Sequence, residues 1–468
     1  MYGEIINNFG QQEMKLVTNF FALLLIVVLV GCSPAKTLSK DKSMQVINEG
    51  QTVSVGKTKP APGIRAYGEN RFEYKSKDKK DLLVYLKEPV VVDVATKPEK
   101  WGYFQFPSIL RKTDGALAVK WNLTADAIEA YGSNQFGSAV SKDGGKSWHI
   151  ERVDEDGGSL TLNNGDLINV VTPKAIKVEE LQLPRPIGKG MDTYAKTAST
   201  FYKLHDLPEI RKGVYLKRLK KDSKIWEEEK ADLYDPQAAR YSFKGLFPLL
   251  FWGDMHLAKD RSAIAGIYPG FYIDEKGEVD PRSGVFFYRS EDNGHSWKIQ
   301  GRILYVPDFQ LDSAGNKRMG FTEPAFEIMQ DGSLLAIMRT TDGIGQGPMY
   351  ASRSTDLGKT WSQPEVMAPS GVLPRLLQLD NGVTVLACGR PGVQLRFSTD
   401  GAGKNWSDPF ELLPYKNEND QVSCGYTGLI ATGPDRFLIV YADFNYENEK
   451  KEIRKAIKVR EVIVGNSK

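Results

Sequence analysis

Four copies of one short turn pattern constrain the fold of this chain more than any other feature. The pattern S-x-D-x-G-x-x-W occurs as SKDGGKSW (Ser141–Trp148), SEDNGHSW (Ser290–Trp297) and STDLGKTW (Ser354–Trp361), and in a longer form as STDGAGKNW (Ser398–Trp406). In each octad the Asp and Ser side chains can bond nearby backbone N–H groups, glycine permits a positive φ, and Trp can pack the turn onto a sheet. Self-similarity of this kind predicts a repeat architecture.

A second recurring pattern surrounds these octads: an apolar strand, an Asp-Gly or Asn-Gly turn, and another apolar strand, which predicts a β-hairpin. The octads fall late in the first, third, fourth and fifth of six such units, where a turn would join outer strands. We therefore predict an all-β fold, a six-bladed β-propeller of four-stranded antiparallel blades with little helix. Strands in 81–95 are expected to close the ring with the apolar stretch 456–464. The six hairpin units, two of them looser copies, are 106–121, 160–171, 247–268, 324–339, 374–390 and 427–444.

Charge and cysteine content exclude several classes of protein. The 468 residues carry 62 Lys and Arg against 59 Asp and Glu, a net charge of +3, with no long basic run. A nucleic-acid-binding protein would present a clustered basic face, so we predict no nucleic-acid partner. Cys388 and Cys424 are predicted to be small buried hydrophobic residues, with a disulfide between them as the alternative. No His, Cys or Asp spacing suggests a transition-metal site, and we predict neither a metal nor a cofactor.

The N-terminal segment has the pattern of an export signal. From Met14 a lysine is followed by an apolar run that ends in Leu-Val-Gly before Cys32. This ending resembles a bacterial lipoprotein lipobox, in which Cys32 would be acylated. We expect a signal peptide over 1–32, a polar tether over 33–78 and the propeller over 79–468. The mature protein would be a monomer, exported and lipid-anchored to a bacterial membrane, periplasmic or at the cell surface.

Alignment of the hairpins predicts which polar side chains meet at one mouth of the propeller. The first strand of each unit lies nearest the axis, and its leading residues point into the mouth. Several polar or ionisable groups at one rim would be costly as core residues, so a binding funnel is the favoured interpretation. The residues that this alignment brings to the rim are Gln105, Glu323, Arg375 and Tyr426, with Asp254 and His256 close to them.

The octads resemble the Asp-boxes of the sialidase (neuraminidase) superfamily, and the resemblance covers the chain from about Trp101 to the C-terminus. Asp-boxes sit at the blade rim away from the axis, which implies that Asp143, Asp292, Asp356 and Asp400 are structural. Family members bind a substrate carboxylate with three arginines, use a tyrosine nucleophile beside a glutamate, and use an aspartate as acid/base. The resemblance therefore implies a glycoside hydrolase, in which a nucleophile that is neutral at rest suits an anionic sugar.

Three segments carry the resemblance to individual site residues. GFTEPAFEIMQDGSLLAIMRT resembles the segment with the glutamate and the second arginine, which implies Glu323 and Arg339. CGYTGLI resembles the tyrosine motif and implies Tyr426 as the nucleophile; GRPGVQLRFSTDG implies Arg390 as the third arginine, with Arg375 as its rival. The set is chemically coherent, because guanidinium forks hold carboxylates and Glu323 could take the phenol proton.

The sequence departs from the family pattern at two places. The opening motif Phe-Arg-Ile-Pro is replaced by the segment YFQFPSIL, which puts the neutral Gln105 where the first arginine would stand. An amide can hydrogen-bond a carboxylate but supplies no charge. The acid/base aspartate also lacks a clear counterpart, and Asp126 and Glu129 are both candidates.

Three hypotheses follow. The first is an exo-acting glycoside hydrolase that releases a terminal acidic sugar, sialic acid or a relative, through Tyr426 and Glu323. The second is a lyase or hydrolase acting on uronate-containing polysaccharide, with His256 or a tyrosine as base. The third is a lipoprotein that binds glycan without catalysis, having kept the cleft and lost the acid. Separate structural alternatives are that Tyr426 is a core ring and that the arginines at the strand ends reach solvent. The matching order of Glu323, Arg339, Arg390 and Tyr426 along the chain favours the first.

Overall fold

Antiparallel strands make up almost all of the regular structure. A computed structural model describes residues 44–48, 51–55, 64–66, 70–75, 81–133, 135–154, 160–192, 197–340, 347–416 and 421–466. The all-β prediction is confirmed: in these ranges the only helices are single 3-10 turns. These turns are Ile128–Ala130, Val178–Glu180, Leu204–Asp206, Glu209–Arg211 and Gly315–Lys317.

The described residues belong to one compact unit within 44–468, and residues 1–43 lie outside the described residues. The predicted export signal and Cys32 fall in that N-terminal part. Within the described ranges, no helix has both the length and the apolar character needed to cross a membrane.

Three sheets have the four antiparallel strands predicted for a blade. In each, consecutive strands are neighbours, so the chain runs through the sheet as a meander. Sheet A contains Tyr103–Arg111, Leu117–Leu123, Phe136–Ser141 and His149–Ile150. Sheet C contains Phe321–Ile328, Leu334–Thr340, Met349–Ser354 and Glu365–Ala368. Sheet D contains Val372–Gln378, Thr384–Gly389, Val393–Ser398 and Phe410–Leu413.

The second and third predicted units do not form separate blades but share the thirteen-stranded sheet B. Trp226–Tyr234, the last strand of one unit, pairs in parallel with Ser296–Ile303, the last strand of the next. An unpaired edge strand is a ready template for such pairing, and this contact covers part of both edges through the pairs from Asp232–Ser296 to Tyr234–Lys298. The strands of sheet B are Leu160–Thr161, Leu167–Val170, Ile176–Lys177, Gly188–Asp192, Thr197–Lys203, Val214–Leu219, Trp226–Tyr234, Ala238–Phe243, Leu246–Phe247, Trp252–Leu257, Ala263–Tyr272, Gly284–Ser290 and Ser296–Ile303.

The N- and C-terminal parts of the domain meet in the seven-stranded sheet E. Its long C-terminal strand Ile453–Asn466 pairs with Asp81–Leu86 and with Val90–Val94, the pairing expected from the sequence. Two further strands lie within the segment predicted as a tether, so the sheet begins N-terminal to the predicted boundary at residue 79. The strands of sheet E are Ile64–Ala66, Arg71–Lys75, Asp81–Leu86, Val90–Val94, Thr427–Gly433, Arg436–Glu447 and Ile453–Asn466, and a separate hairpin joins Met44–Asn48 to Gln51–Val55.

Apolar layers between consecutive sheets hold the domain together. Separate core clusters lie between sheets B and C, C and D, D and E, and E and A. The octad turns contribute to these layers: Gly145 packs on Leu438 of sheet E, and Gly403 packs on Leu335 of sheet C. Both glycines have positive φ, and a Cβ at Gly145 would lie 2.5 Å from Leu438 Cδ1, so glycine is needed there for space as well as for conformation.

The first strands of the sheets lie side by side and so bring their leading residues together. Thr427–Gly433 contacts Tyr103–Arg111 on one side and Val372–Gln378 on the other, and the series continues to Phe321–Ile328 and then to Ala263–Tyr272. Residues that are hundreds of positions apart in the chain therefore meet at one end of these strands.

Candidate functional site

Each of three first strands bends at a bulge just ahead of a proline. Phe106, Glu323 and Leu373 precede these prolines and have φ values of 53°, 48° and 38°. The register of the strand pairing shifts at each of these positions. Positive φ at such residues costs of order 1 to 3 kcal/mol, a strain that is concentrated at functional sites. The bulges also correct the sequence alignment: the counterpart of Glu323 in sheet D is Leu373, and Arg375 lies two residues farther along.

A partly buried phenol, a buried carboxylate and a buried guanidinium form the centre of the candidate site. The hydroxyl of Tyr426 donates a hydrogen bond to Glu323 Oε1, and Arg339 Nη1 donates to the same oxygen at 2.8 Å. Arg339 Nη1 also lies 3.5 Å from the Tyr426 oxygen. The backbone N–H of Leu373 donates to Glu323 Oε2 at 2.9 Å, so both carboxylate oxygens are held. The Glu323 and Arg339 residues are each 7% exposed, which shields these contacts from water. We call Tyr426, Glu323 and Arg339 the centre.

The charges at the centre fix its resting protonation state. Burial alone would raise the pKa of Glu323, but Arg339 beside it and the Tyr426 hydrogen bond together hold that pKa below its ordinary value. Burial and the neighbouring Glu323 carboxylate raise the pKa of Tyr426 well above its ordinary value, against the opposing effect of Arg339 and Arg390. The resting pair is therefore a carboxylate that accepts a proton and a phenol that keeps its own. A reaction at the phenol oxygen would need to pass this proton to Glu323.

Arg390 lies over the Tyr426 ring. Its guanidinium carbon is 5.5 Å from the Tyr426 ring centroid and 5.1 Å from that of Trp101, and its Nε donates to the Cys424 carbonyl at 2.8 Å. Trp101 in turn donates from Nε1 to Asp126 Oδ2 at 2.9 Å. The structure thus links Asp126 to the centre through Trp101 and Arg390, with Asp126 exposed at the rim.

Two more of the predicted residues form ion pairs of their own. Arg375 Nη1 donates to Asp254 Oδ1 at 3.3 Å, so the rival third arginine already has a carboxylate partner. His256 Nδ1 lies 3.4 Å from Glu327 Oε1, and its ring packs edge-on against Phe326. Burial raises the pKa of Glu327, partly offset by His256.

Gln105 and Glu129 are not part of these contacts. Gln105 is fully buried, and among the described residues neither of its amide atoms has a hydrogen-bond partner. Glu129 is exposed on the 3-10 turn Ile128–Ala130, and no contact with the centre is present in the described part of the chain. Of the two acid candidates, the structure connects only Asp126 to the centre.

Sequence reasoning missed the aromatic residues around the centre. Trp101 contacts Arg390 and Asp126. Tyr268 lies near Glu323 and Tyr426: burial raises the pKa of Tyr268 most, and the charges of these two neighbours raise it further. Both aromatic residues lie close in the sequence to residues that were predicted, and this could have indicated them. Trp101 precedes Gln105 by four residues, and Tyr268 ends the hairpin that carries Asp254 and His256.

The octad aspartates are hydrogen-bonded within their own turns, in agreement with a structural role. Asp356 Oδ1 accepts from Ser354 Oγ at 2.8 Å and from the Thr360 N–H at 2.9 Å, and Oδ2 accepts from Thr360 Oγ1 at 2.6 Å. Although burial opposes ionisation, these bonds lower the pKa of Asp356 to about 2. The corresponding contacts recur at Asp143, Asp292 and Asp400.

The two described cysteines are free and buried, as predicted, and burial raises the pKa of Cys388 to about 11. Across the described ranges, no group of three or more His, Cys, Asp or Glu side chains is arranged to hold a metal ion.

The family model of the BNR repeat-like domain matches residues 253–434, less than half of the chain. This range contains three of the octads and all of the candidate site residues except Gln105, Asp126 and Glu129. The predicted resemblance to BNR-repeat, sialidase-like proteins is confirmed over these residues. No curated protein matches the chain in sequence.

Solved structures with a similar arrangement of strands include proteins of different activities. A protein of unknown function from Dyadobacter fermentans DSM 18053 has 19% identity and a TM-score of 0.54, covering 82% of this chain and 99% of that one. Penicillium chrysogenum alpha-L-arabinanase complexed with arabinobiose has 15% identity and a TM-score of 0.44, covering 80% of this chain and 98% of that one. Trypanosoma rangeli sialidase in complex with the inhibitor DANA has 13% identity and a TM-score of 0.40, covering 80% of this chain and 56% of that one. The first of these similarities shows the fold.

Proposed function

We propose that this protein is an exo-acting glycoside hydrolase in which Tyr426 is the nucleophile and Glu323 its general base. The observation that carries the proposal is the partly buried hydrogen bond from the Tyr426 hydroxyl to Glu323, with Arg339 on the same carboxylate oxygen. The phenol oxygen attacks the anomeric carbon while its proton passes to Glu323, which gives a glycosyl–tyrosine intermediate. Asp126 protonates the leaving oxygen and then activates the water that releases the sugar.

The sugar at the centre is proposed to be a terminal acidic sugar with one carboxylate. Arg390 supports this, because it lies over Tyr426 and forms no ion pair with a carboxylate among the described residues. Arg339 is shared with Glu323 and Arg375 is paired with Asp254, so these two offer less charge to a ligand. Because the neutral Gln105 stands at the position of the first arginine, the side chains that would bind the substrate carboxylate carry less positive charge than three unpaired arginines would.

The fold and location complete the proposal. The hairpins and stacked first strands support a six-bladed propeller that begins at Ile64 in sheet E and in which the second and third predicted units share sheet B. We propose that 1–32 is an export signal, that the segment between Cys32 and the first strand of sheet E at Ile64 tethers the domain, and that acylated Cys32 anchors a monomeric enzyme to a bacterial membrane, where it meets glycans outside the cytoplasm.

A second candidate is an enzyme that acts on uronate-containing polysaccharide with His256 as the base. The pairing of His256 Nδ1 with the Glu327 carboxylate favours it, because such a partner orients the imidazole. In this reaction Arg375 would neutralise the uronate and Tyr426 would not form a covalent bond.

A glycan panel separates these functions. Sialosides, uronate polysaccharides and arabino-oligosaccharides are incubated with wild type, Tyr426→Phe and His256→Ala, and the products are identified by mass. Release of a terminal acidic sugar that Tyr426→Phe abolishes supports the hydrolase. An unsaturated product absorbing in the near ultraviolet, lost in His256→Ala but not in Tyr426→Phe, replaces it with the uronate enzyme. Saturable binding without any product indicates a glycan-binding protein.

A further inference from the structure

Arg211 is the most deeply buried arginine in the described part of the chain, and its charge has no carboxylate partner there. Its residue is 2% exposed, and neither Nε nor Nη1 has a hydrogen-bond partner among the described residues. The other three buried arginines of the described ranges each pair with a carboxylate: Arg218 with Asp166 and Glu229, Arg318 with Asp312, and Arg339 with Glu323. A buried charge is costly unless an opposite charge compensates it, so an anion beside Arg211 would stabilise the fold.

A second guanidinium group without a carboxylate partner in the described ranges lies beside Arg211. Arg240 Nη2 donates to the Gly213 carbonyl at 3.2 Å, and Gly213 follows Arg211 by two residues. Arg240 Nη1 donates to the Leu250 carbonyl at 2.9 Å, so the bonds of this side chain go to neutral oxygens. Burial lowers the pKa of Arg240, and the positive charge of Arg211 adds to this, against the opposing effect of Tyr288. The two arginines therefore place two positive charges close together inside sheet B.

The turn Glu209–Arg211 separates this pair of charges from solvent. It is anchored by Lys230 Nζ, which donates to the Glu209 carbonyl at 3.1 Å, and by the Tyr215 hydroxyl, which donates to the Ile210 carbonyl at 3.1 Å. Ile210 is 50% exposed, although Arg211 next to it is buried. The Glu209 carboxylate is directed to the surface, where its side chain is 72% exposed and pairs with Lys230 at 2.7 Å. A small ion would therefore need only a local opening of this turn to reach Arg211.

The nearby acid of sheet B is already neutralised. The charge of Asp235 acts on Arg240, but its carboxylate pairs with Arg302 and accepts a hydrogen bond from the Tyr288 hydroxyl at 3.1 Å. The charges of Arg211 and Arg240 are thus left without compensation by the described residues. A dianion would balance both, whereas a monovalent ion would balance one. Guanidinium groups bind the oxygens of such anions through charge-assisted hydrogen bonds.

We propose that Arg211 and Arg240 bind one divalent tetrahedral oxyanion, phosphate or sulfate, beneath the turn Glu209–Arg211. The site uses none of the residues of the centre, so it is independent of the proposed glycoside hydrolase function. The bound ion would join the turn to the strand Ala238–Phe243 and so stabilise this part of sheet B.

Equilibrium dialysis tests the binding directly. Wild type is freed of phosphate and sulfate and is then dialysed against each radiolabelled anion separately, at constant chloride concentration. We expect one ion per chain, an affinity at least about tenfold lower in Arg211→Met, and a smaller loss in Arg211→Lys, which keeps the charge. Arg185→Met removes an exposed arginine, so this matched control should bind as wild type does.

Thermal unfolding tests the compensation of charge. In buffer without phosphate or sulfate, Arg211→Met should be at least as stable as wild type, because it removes an uncompensated buried charge. Millimolar phosphate should raise the melting temperature of wild type and Arg185→Met by a saturable increment of about 2 °C or more and leave that of Arg211→Met unchanged. The comparison between variants removes the general stabilisation that these anions give to folded proteins.

Three results would overturn the site. The first is that wild type binds neither phosphate nor sulfate, or binds them no better than Arg211→Met. The second is that Arg211→Met is less stable than wild type, or unfolded, in the buffer without these anions, because Arg211 would then already be compensated. The third is that chloride stabilises wild type as well as phosphate does at the same concentration, which would exclude a site selective for a dianion.

Discussion

The octad turns and the centre both depend on carboxylates with several hydrogen bonds, but they draw their partners from different places. Asp356 is held by Ser354 and Thr360, at most four residues away in the chain. Glu323 is held by Arg339, Leu373 and Tyr426, which are 16, 50 and 103 residues away. The octads are therefore complete within eight or nine residues, whereas the centre exists only after three sheets have packed.

This difference explains why the octads indicate the fold and say little about activity. A turn whose bonds are all local recurs wherever the chain needs the same connection between outer strands. The centre instead combines burial with charges from separate sheets, and such combinations shift pKa values in ways that suit catalysis. Five predictions test whether the octads serve stability while the centre serves activity.

Tyr426→Phe should have the largest effect on activity. Removal of the hydroxyl takes away the nucleophile, so kcat/KM on the cleaved glycan should fall by roughly 10³-fold or more. The unfolding midpoint should stay close to wild type, because the ring remains in place. Activity within tenfold of wild type would remove Tyr426 from the reaction.

Arg339→Met should have the largest effect on stability. It leaves the Glu323 carboxylate buried without its cation, which costs about 3–5 kcal/mol of unfolding free energy. Urea denaturation measures this loss. The double variant Glu323→Gln/Arg339→Met should recover a large part of it, since the uncompensated charge is gone; additive losses would show that the two residues do not interact.

Lowering the pH should reduce activity through protonation of Glu323 at the centre. Glu323 must be ionised to accept the phenol proton, and its pKa in the folded protein lies below the ordinary 4.5. The ionised form of Glu323 contributes stability and activity at pH values above the pKa that Glu323 has in the unfolded protein. Both contributions are lost as the pH falls through the pKa that Glu323 has in the folded protein. Below that pKa, kcat/KM should fall about tenfold per pH unit. Circular dichroism should still report folded protein there, because Asp356 titrates at about 2. An acid limb above pH 5 would point to another group.

Asp356→Ala should reduce stability without reducing activity. The variant loses hydrogen bonds in a partly exposed turn, for which we expect a loss of about 1 kcal/mol. Its kcat/KM at a temperature where it is fully folded should match wild type. A specific kinetic defect in the folded variant would show that the rim and the centre are coupled.

Gln105→Leu should have the smallest effect on stability. The amide of Gln105 is buried without partners among the described residues, so an apolar side chain of similar size should change the unfolding free energy by less than about 1 kcal/mol. A rise in KM with unchanged stability would show that Gln105 contacts the substrate, as the sequence alignment predicts. An unchanged KM would assign it to the core.

Part of the site could be predicted from the sequence because it follows from strand register. Glu323 and Tyr426 stand at corresponding places in repeated hairpins, whereas Arg339 and Arg390 were implied by the family resemblance of their segments, and the structure brings all four together. The alignment was wrong by two residues in sheet D and by one in sheet A, because the bulges place Leu373 and Phe106, rather than Arg375 and Gln105, at the position of Glu323.

Several features could be predicted from the amino-acid sequence alone: the octads, the six hairpins, the scarcity of helix and the pairing of Asp81–Leu86 with Ile453–Asn466. Turn chemistry and alternating polarity act over a few residues, so they can be read directly from the chain. Only the tertiary structure decided that Arg375 pairs with Asp254, that the Leu373 N–H binds Glu323, and that Trp101 and Tyr268 flank the centre. Those contacts depend on how neighbouring sheets are packed and on bulges that shift register by single residues, and no short stretch of sequence carries that information.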